Sequence, residues 1–231
     1  RSALSRDEWG IRAFGRLAVR VGVTTATDLM ASLQEPELEV LQRLSAEPGY
    51  PVRLVPLLRL VGMTAEQAVT RCVALRGRGH DKLHLGRLKL VADGSIQGFT
   101  ARLLAPGYFN GAANGLWYTP PETLRDAFTR ALREGVLVHT HTNGDEATEL
   151  VLDCVEEALA RHPARDHRFT LQHCQLADAA QFRRMRALGM CVNLFPNHHF
   201  YWGDQHYALT VGPERAERMN ACATALANGV P

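Results

Sequence analysis

Cysteine is scarce and scattered: Cys72, Cys154, Cys174, Cys191 and Cys222 are an odd number at wide spacings, with no C-x-x-C pair. That excludes a disulfide framework and a zinc knuckle, and it points to a reducing, cytoplasmic setting. No apolar run approaches the length of a membrane span, so no membrane partner is expected. Residues 1–5 lack both an initiator Met and the apolar core of a signal peptide, so the chain is expected to be an internal piece. An excess of one charge is lacking too. The 26 basic and 24 acidic residues are spread along the length and leave a formal net charge of +2, which argues against nucleic acid and against an acidic tail. There is no internal repeat and no low-complexity linker. What remains is 231 residues, 46% hydrophobic and 22% charged, enough for one sizeable core with a small molecule as the expected partner.

Short apolar strands alternate with amphipathic helices from end to end, the pattern of an α/β protein with a parallel sheet. Strands are expected at Gly22–Asp28, Val52–Leu58 and Leu83–Asp93, then at Val136–His141, Arg168–His173 and Met190–Phe195. A helix starts at Pro120-Pro121-Glu122 and stops at Gly135; others begin at Asp145, span Asp178–Leu188 and span Pro213–Asn228 with Gly229 as cap. Asp145 is expected to cap its helix and Arg168 to anchor the start of its strand. The Gly/Ala/Asn-rich stretch 106–116 reads as a long active-site loop. Six strand–helix units are counted, and the fold class is α/β, an incomplete TIM (β/α)8 barrel with about six of its eight units, in one domain over residues 1–231.

In a parallel barrel the chemistry sits where strands end. Lys89 interrupts an apolar run there, and His141 and His173 each close one. Alternation along a strand places His141 on the face of Leu137 and His173 on the face of Leu171, and groups Lys89 with Val91 and Asp93. If Leu137 and Leu171 point inward, two imidazoles and a buried amine converge, a set suited to a divalent metal. Each residue also has an ordinary structural use: a strand-end histidine can serve as a hydrogen-bonded core residue, and Lys89 can pair with Asp93.

Three strings carry a resemblance. Lys89-Leu-Val-Ala-Asp93-Gly94-Ser95, His141-Thr-Asn-Gly144-Asp145-Glu-Ala147 and Arg168-Phe-Thr-Leu-Gln-His173-Cys-Gln175 resemble, in order and spacing, the YtcJ-like branch of the amidohydrolase superfamily. That branch includes N-substituted formamide deformylase. The likeness runs from Gly22-Val-Thr-Thr through Tyr201-Trp202-Gly203-Asp204 and Gly212-Pro213-Glu214-Arg215-Ala216 to the last residue. It implies that His141 and His173 are metal ligands after the fifth and sixth barrel strands. It also implies that Lys89 is the fourth-strand lysine, carboxylated and bridging where two metals bind. Lys89 and His173 would take part in catalysis, with one or two divalent ions, zinc foremost, as cofactor. His198, His199, Trp202 and Asp204, in an expected loop at 197–206, would contact substrate. A second metal cluster at His198, His199 and His206 is the lesser alternative.

The family's first-strand His-x-His and eighth-strand Asp have no matching positions, nor does any flanking β-sandwich. His139-Thr140-His141 has the letters, but Asn143-Gly144-Asp145 behind it places it on the fifth strand. His139 would then lie roughly 7 Å deeper than His141 and serve the core. The implied reaction is attack of a metal-activated water on a non-peptide carbon–nitrogen bond of amide or formamide type. Deamination or ester hydrolysis on the same scaffold, and a non-catalytic remnant, stand as alternatives. With only half of the implied machinery, the piece alone is expected to be inactive, and missing strands would leave open edges, so it is expected to self-associate, a homo-oligomer being one outcome.

Overall fold

The computed structural model describes residues 7–231, so the reading of residues 1–5 lies outside it. The chain divides into two compact units: residues up to Met63 with Gln67–Lys89, and Thr64–Glu66 with Leu90–Pro231.

In the first unit, the Asp7 carboxylate accepts the Gly10 N–H at 2.7 Å and opens α1 (Glu8–Arg20), with Glu8 and Arg20 placed to favour the helix dipole. β1 (Thr25–Ala31), α2 (Glu35–Ser45, begun on Pro36) and β2 (Arg53–Arg59) follow. Most of α3 (Ala65–Leu75) and the first half of β3 (Leu88–Val91) complete it. The strands run parallel in chain order, with Thr25 opposite Arg53, Leu58 opposite Leu88 and Arg59 opposite Lys89. The third strand is shorter than the expected Leu83–Asp93. Leu83 makes only isolated bridges, to Leu54 and His80, and Gly86 breaks the run at φ 88, where a side chain would strike Arg76 and the Cys72 carbonyl.

In the second unit, Ala92 N donates to His141 O at 3.0 Å and sets the end of β3 beside β4 (Val138–Thr142). β4 pairs in parallel with β5 (Thr170–His173), and β5 with β6 (Cys191–Leu194), again in chain order. α4 (Pro121–Arg133) has the proline start, and Gly135 at φ 61 the glycine stop. α5 (Asp145–Arg161) and α6 (Ala179–Ala187) follow, the latter opened by a capping box between Asp178 and Gln181. Phe128, Phe169 and Phe182 are fully buried, with Phe128 and Phe169 rings 5.5 Å apart. Each such ring contributes on the order of 2–3 kcal/mol by leaving water. Parallel strands in chain order with helices between them are the topology of an incomplete (β/α)8 barrel, as the sequence led us to expect.

Several local expectations are corrected. The 197–206 loop is instead α7 (Asn197–Gln205), which runs on into one π-helical stretch, His206–Thr210. The single helix at Pro213–Asn228 is two, α8 (Gly212–Glu217) and α9 (Cys222–Ala227), because Asn220 adopts φ 50 and gives its N–H to Gln175 O. Asp145 is not the cap of α5. Gly144 holds the extended cap position, and Asp145, the first helical residue, accepts the Leu104 N–H at 2.9 Å. Arg168 does not anchor the sheet: it stands at φ 51, exposed and paired with Asp166, and β5 starts two residues later.

Residues 94–118 have almost no regular structure, yet Ile96, Ala101, Leu103 and Tyr108 pack with Leu176, Val211, Ala216 and Met219 into a core of their own. The nearly buried Arg215 of α8 closes this segment by donating to the carbonyls of Leu104 and Ala105 at 2.9 Å and of Gly107 at 3.2 Å. Asp145 Oδ2 lies 3.8 Å from the same guanidinium. Arg215→Met keeps much of the volume and removes every donor, leaving carbonyls unmet. It is expected to destabilise the protein by about 3 kcal/mol in urea unfolding, and a loss under about 0.5 kcal/mol would show the clamp to be ornamental.

Candidate metal centre

The turn after β3 is organised by one carboxylate. Asp93 is fully buried; its Oδ1 accepts Asn143 N at 2.9 Å, and its Oδ2 accepts Gly144 N at 2.8 Å and Arg102 N at 3.0 Å. Burial pushes Asp93 up, to about 7, against those three donors, which hold it down. Gly144 has to be glycine, since a Cβ there would sit 1.7 Å from Arg102 O. The Asp-Gly-Ser turn and the Asn-Gly pair after His141 thus lock together.

That lock orients His141. Its Nε2 lies 2.9 Å from Gly94 O and 3.7 Å from Asp93 Oδ1, so the proton belongs on Nε2 and the ring lone pair on Nδ1. A ligating histidine is usually held this way, by donating its other N–H to a carbonyl or carboxylate.

His173 reaches the same place by a different route from the expected one. The register sets His141 opposite Gln172, and Thr142 opposite His173. Leu171 and His173 therefore belong to the opposite face from His141, and simple alternation keeps the two histidines apart. The backbone resolves this: His173 has φ 71 and Cys174 φ 44, two successive left-handed non-glycine residues. Cys174 N donates to Thr142 O at 2.9 Å and holds the turn. The His173 ring then meets the His141 ring edge-on, with centroids 4.7 Å apart. Left-handed strain of order 1 kcal/mol per residue is kept where it serves the site.

The rest of the inward face was not singled out from sequence. Asn193 Nδ2 donates to Gln172 Oε1 at 2.7 Å, and Gln172 Nε2 meets His139 Nδ1 at 2.7 Å, a polar ladder across three strands. His139 itself is half-buried. Only register, which a single strand does not reveal, identifies Gln172 and Asn193.

Of the expected substrate contacts, His198 is nearly buried, with its ring 5.7 Å from that of His173 and 5.0 Å from Phe195. His199 Nε2 lies 2.7 Å from Met219 O, whereas Trp202 and Asp204 are exposed on α7. The alternative cluster of His198, His199 and His206 does not form. Among the described residues no group of three or more His, Cys, Asp or Glu side chains is placed to hold a metal, and His141 and His173 stand as a pair.

Lys89 closes the first unit. It is 3% exposed, its Nζ has no hydrogen-bond partner among the described residues, and burial lowers it to about 7. Asp93, offered as its partner, is occupied by backbone N–H groups.

Comparison with known proteins decides what these residues belong to. The model of the amidohydrolase family matches residues 2–231. The chain belongs to the amidohydrolase family. It is 27% identical over 195 residues to the putative amidohydrolase YtcJ of Bacillus subtilis, covering 84% of this chain and 35% of that protein. It is 31% identical over 148 residues to the LONG AFTER FAR-RED 3 protein of Arabidopsis thaliana, covering 64% of this chain and 25% of that one. The chain thus spans about a third or less of these relatives. An uncharacterized metal-dependent hydrolase from Pyrococcus furiosus superposes with a TM-score of 0.75 at 23% identity, over 95% of this chain and 44% of that one. Atrazine chlorohydrolase TrzN from Arthrobacter aurescens, solved with zinc, gives 0.56 at 13%, over 95% and 46%. At such identities the two structures speak for the fold alone. The YtcJ-like amidohydrolase resemblance is confirmed.

For this amidohydrolase chain, the buried amine sets a pH dependence. Lys89 is pushed from its ordinary 10.5 to about 7, so between those values the unfolded chain binds more protons than the folded one. The Lys89 contribution to stability is expected to rise as pH goes from about 7 toward 10, and to be at its lowest below 7. In metal-free protein, Lys89→Met should gain a few kcal/mol at pH 7 in urea unfolding and flatten this slope. An unchanged slope would show that the amine is not what titrates.

Proposed function

We propose that this chain serves a metal-dependent hydrolase of non-peptide carbon–nitrogen bonds, amide or formamide in type, acting on a small molecule. The observation that carries the reading is the meeting of the His141 and His173 rings at 4.7 Å, at the C-terminal ends of adjacent parallel strands. Their chemistry fits a divalent cation, zinc foremost: imidazole nitrogens, one of them held in its tautomer by the Gly94 carbonyl.

His141 and His173 would hold the ion. Lys89 is assigned a ligand role of its own, because a buried amine with no hydrogen-bond partner makes a poor neighbour for a cation but becomes an anionic oxygen donor once carboxylated. When bound, the ion supplies Lewis acidity toward a substrate carbonyl and toward water. The chain's own residues do the placing. Asp93 keeps the Gly94 carbonyl against His141, and Thr142 fixes the turn that swings His173 into place. Phe195, 5.9 Å from His173, shields that ring's edge. Trp202, Asp204, His198 and His199 are retained as substrate contacts in this proposal.

Metal analysis of the full-length protein tests it. His141→Ala and His173→Ala should each lower bound metal at least about tenfold and remove amide hydrolysis, while Gln172→Ala, on the same face but turned to His139 and Asn193, should keep the metal. Full metal content in both histidine variants would refute the assignment.

A further inference from the structure

Cys174 is an unusual residue for the conformation it holds. Its φ is 44, directly after His173 at φ 71. A left-handed backbone favours glycine, with asparagine, aspartate and histidine next, and cysteine has no such preference. A residue set against its own backbone conformation is kept there by what surrounds it, and such strain gathers where it serves a site.

The surroundings of the side chain are specific. Cys174 is fully buried, as are Thr142 of β4 and Thr148 of α5. Cys174 Sγ lies 3.6 Å from Thr142 Oγ1, and the Thr148 hydroxyl also reaches the thiol. Thr148 Oγ1 is itself fixed by donating to Gly144 O at 3.0 Å. The sulfur is thus gripped by a strand on one side and a helix on the other. Main-chain bonds join in: Cys174 N donates to Thr142 O at 2.9 Å, and Ala177 N to Cys174 O at 3.2 Å. These two bonds are open to other residue types, whereas the grip on the sulfur belongs to cysteine.

The direction of His173 follows from that grip. Continued as an extended strand, β5 would carry its ring on the face away from His141, because His173 is in register with Thr142. The left-handed pair turns the ring until it meets that of His141 at 4.7 Å. We infer that Cys174 is a positioning residue for His173. Its side chain, seated between Thr142 and Thr148, holds the strained pair in place and so delivers the imidazole to the candidate metal centre. The metal arm of the test rests on the reading of His141 and His173 as ligands; the ring contact does not.

The experiment uses the full-length protein with Cys174→Ala, Cys174→Gly and Cys174→Ser. The first keeps the backbone strain and removes only the sulfur, the second removes both, and the third leaves a hydrogen-bonding group in the same seat. In metal-free protein, the nuclear Overhauser contact between the His141 and His173 rings is expected to vanish in Cys174→Ala and Cys174→Gly and to persist in Cys174→Ser. Titration with zinc alone should show binding about tenfold weaker in the first two and largely restored in the third. A cysteine that only filled space would give another pattern: lower melting temperatures in all three, with the ring contact and zinc affinity unchanged. That pattern, or an intact ring contact in both Cys174→Ala and Cys174→Gly, would overturn the assignment. Failure of the hydrolase reading looks different. Zinc kept by His173→Ala, with the ring contact still lost in Cys174→Ala, sinks the metal centre and leaves Cys174 positioning His173.

Discussion

The second unit depends on a single buried carboxylate. Asp93 collects three backbone N–H groups, from Arg102, Asn143 and Gly144, and so ties the end of β3, the irregular segment after it and the start of α5 into one knot. An acid this deep in the protein is costly unless it is met on several sides, and the backbone meets it. From that knot follow the Gly94 carbonyl facing His141, the requirement for glycine at 144, and the seating of Asp145 on Leu104. The His141 ring is thus aimed by an acid through the Gly94 carbonyl.

Against that rigid side stands a bent one. His173 arrives at the site only because the chain leaves the extended region at the last residue of β5. One imidazole is placed by an ordered turn and the other by local strain, and both converge at the ends of neighbouring strands. Such division is common where a scaffold carries chemistry: regular elements set the frame, and departures from regularity aim the functional groups.

Much of this was legible from the residues. Runs of β-branched and aliphatic residues located all six strands within a few positions, and Pro121 and Gly135 bounded α4 as helix-end chemistry requires. The three motif strings found His141, His173 and Asp93. What stayed hidden was register. Period-two counting joined His173 to Leu171, correct within the strand, but it gave no sign that β4 and β5 are offset so that His141 faces Gln172. Nor did Asn220 announce the break between α8 and α9, because asparagine at a left-handed position looks like any other polar residue in a helical pattern. Arg215, read only as part of a motif string, turned out to hold three carbonyls.

Those carbonyls belong to residues 104, 105 and 107, some 110 positions earlier in the chain. While the polypeptide is being made, the segment between β3 and α4 must therefore wait, its carbonyls turned to water, until α8 has left the ribosome. Contacts so distant close late and slow the final step. Strands and helices on the N-terminal side of α8 have their own cores to assemble meanwhile. The segment 104–107 would then be among the last parts to take shape, and an interrupted chain would hold a sheet with that stretch unfastened.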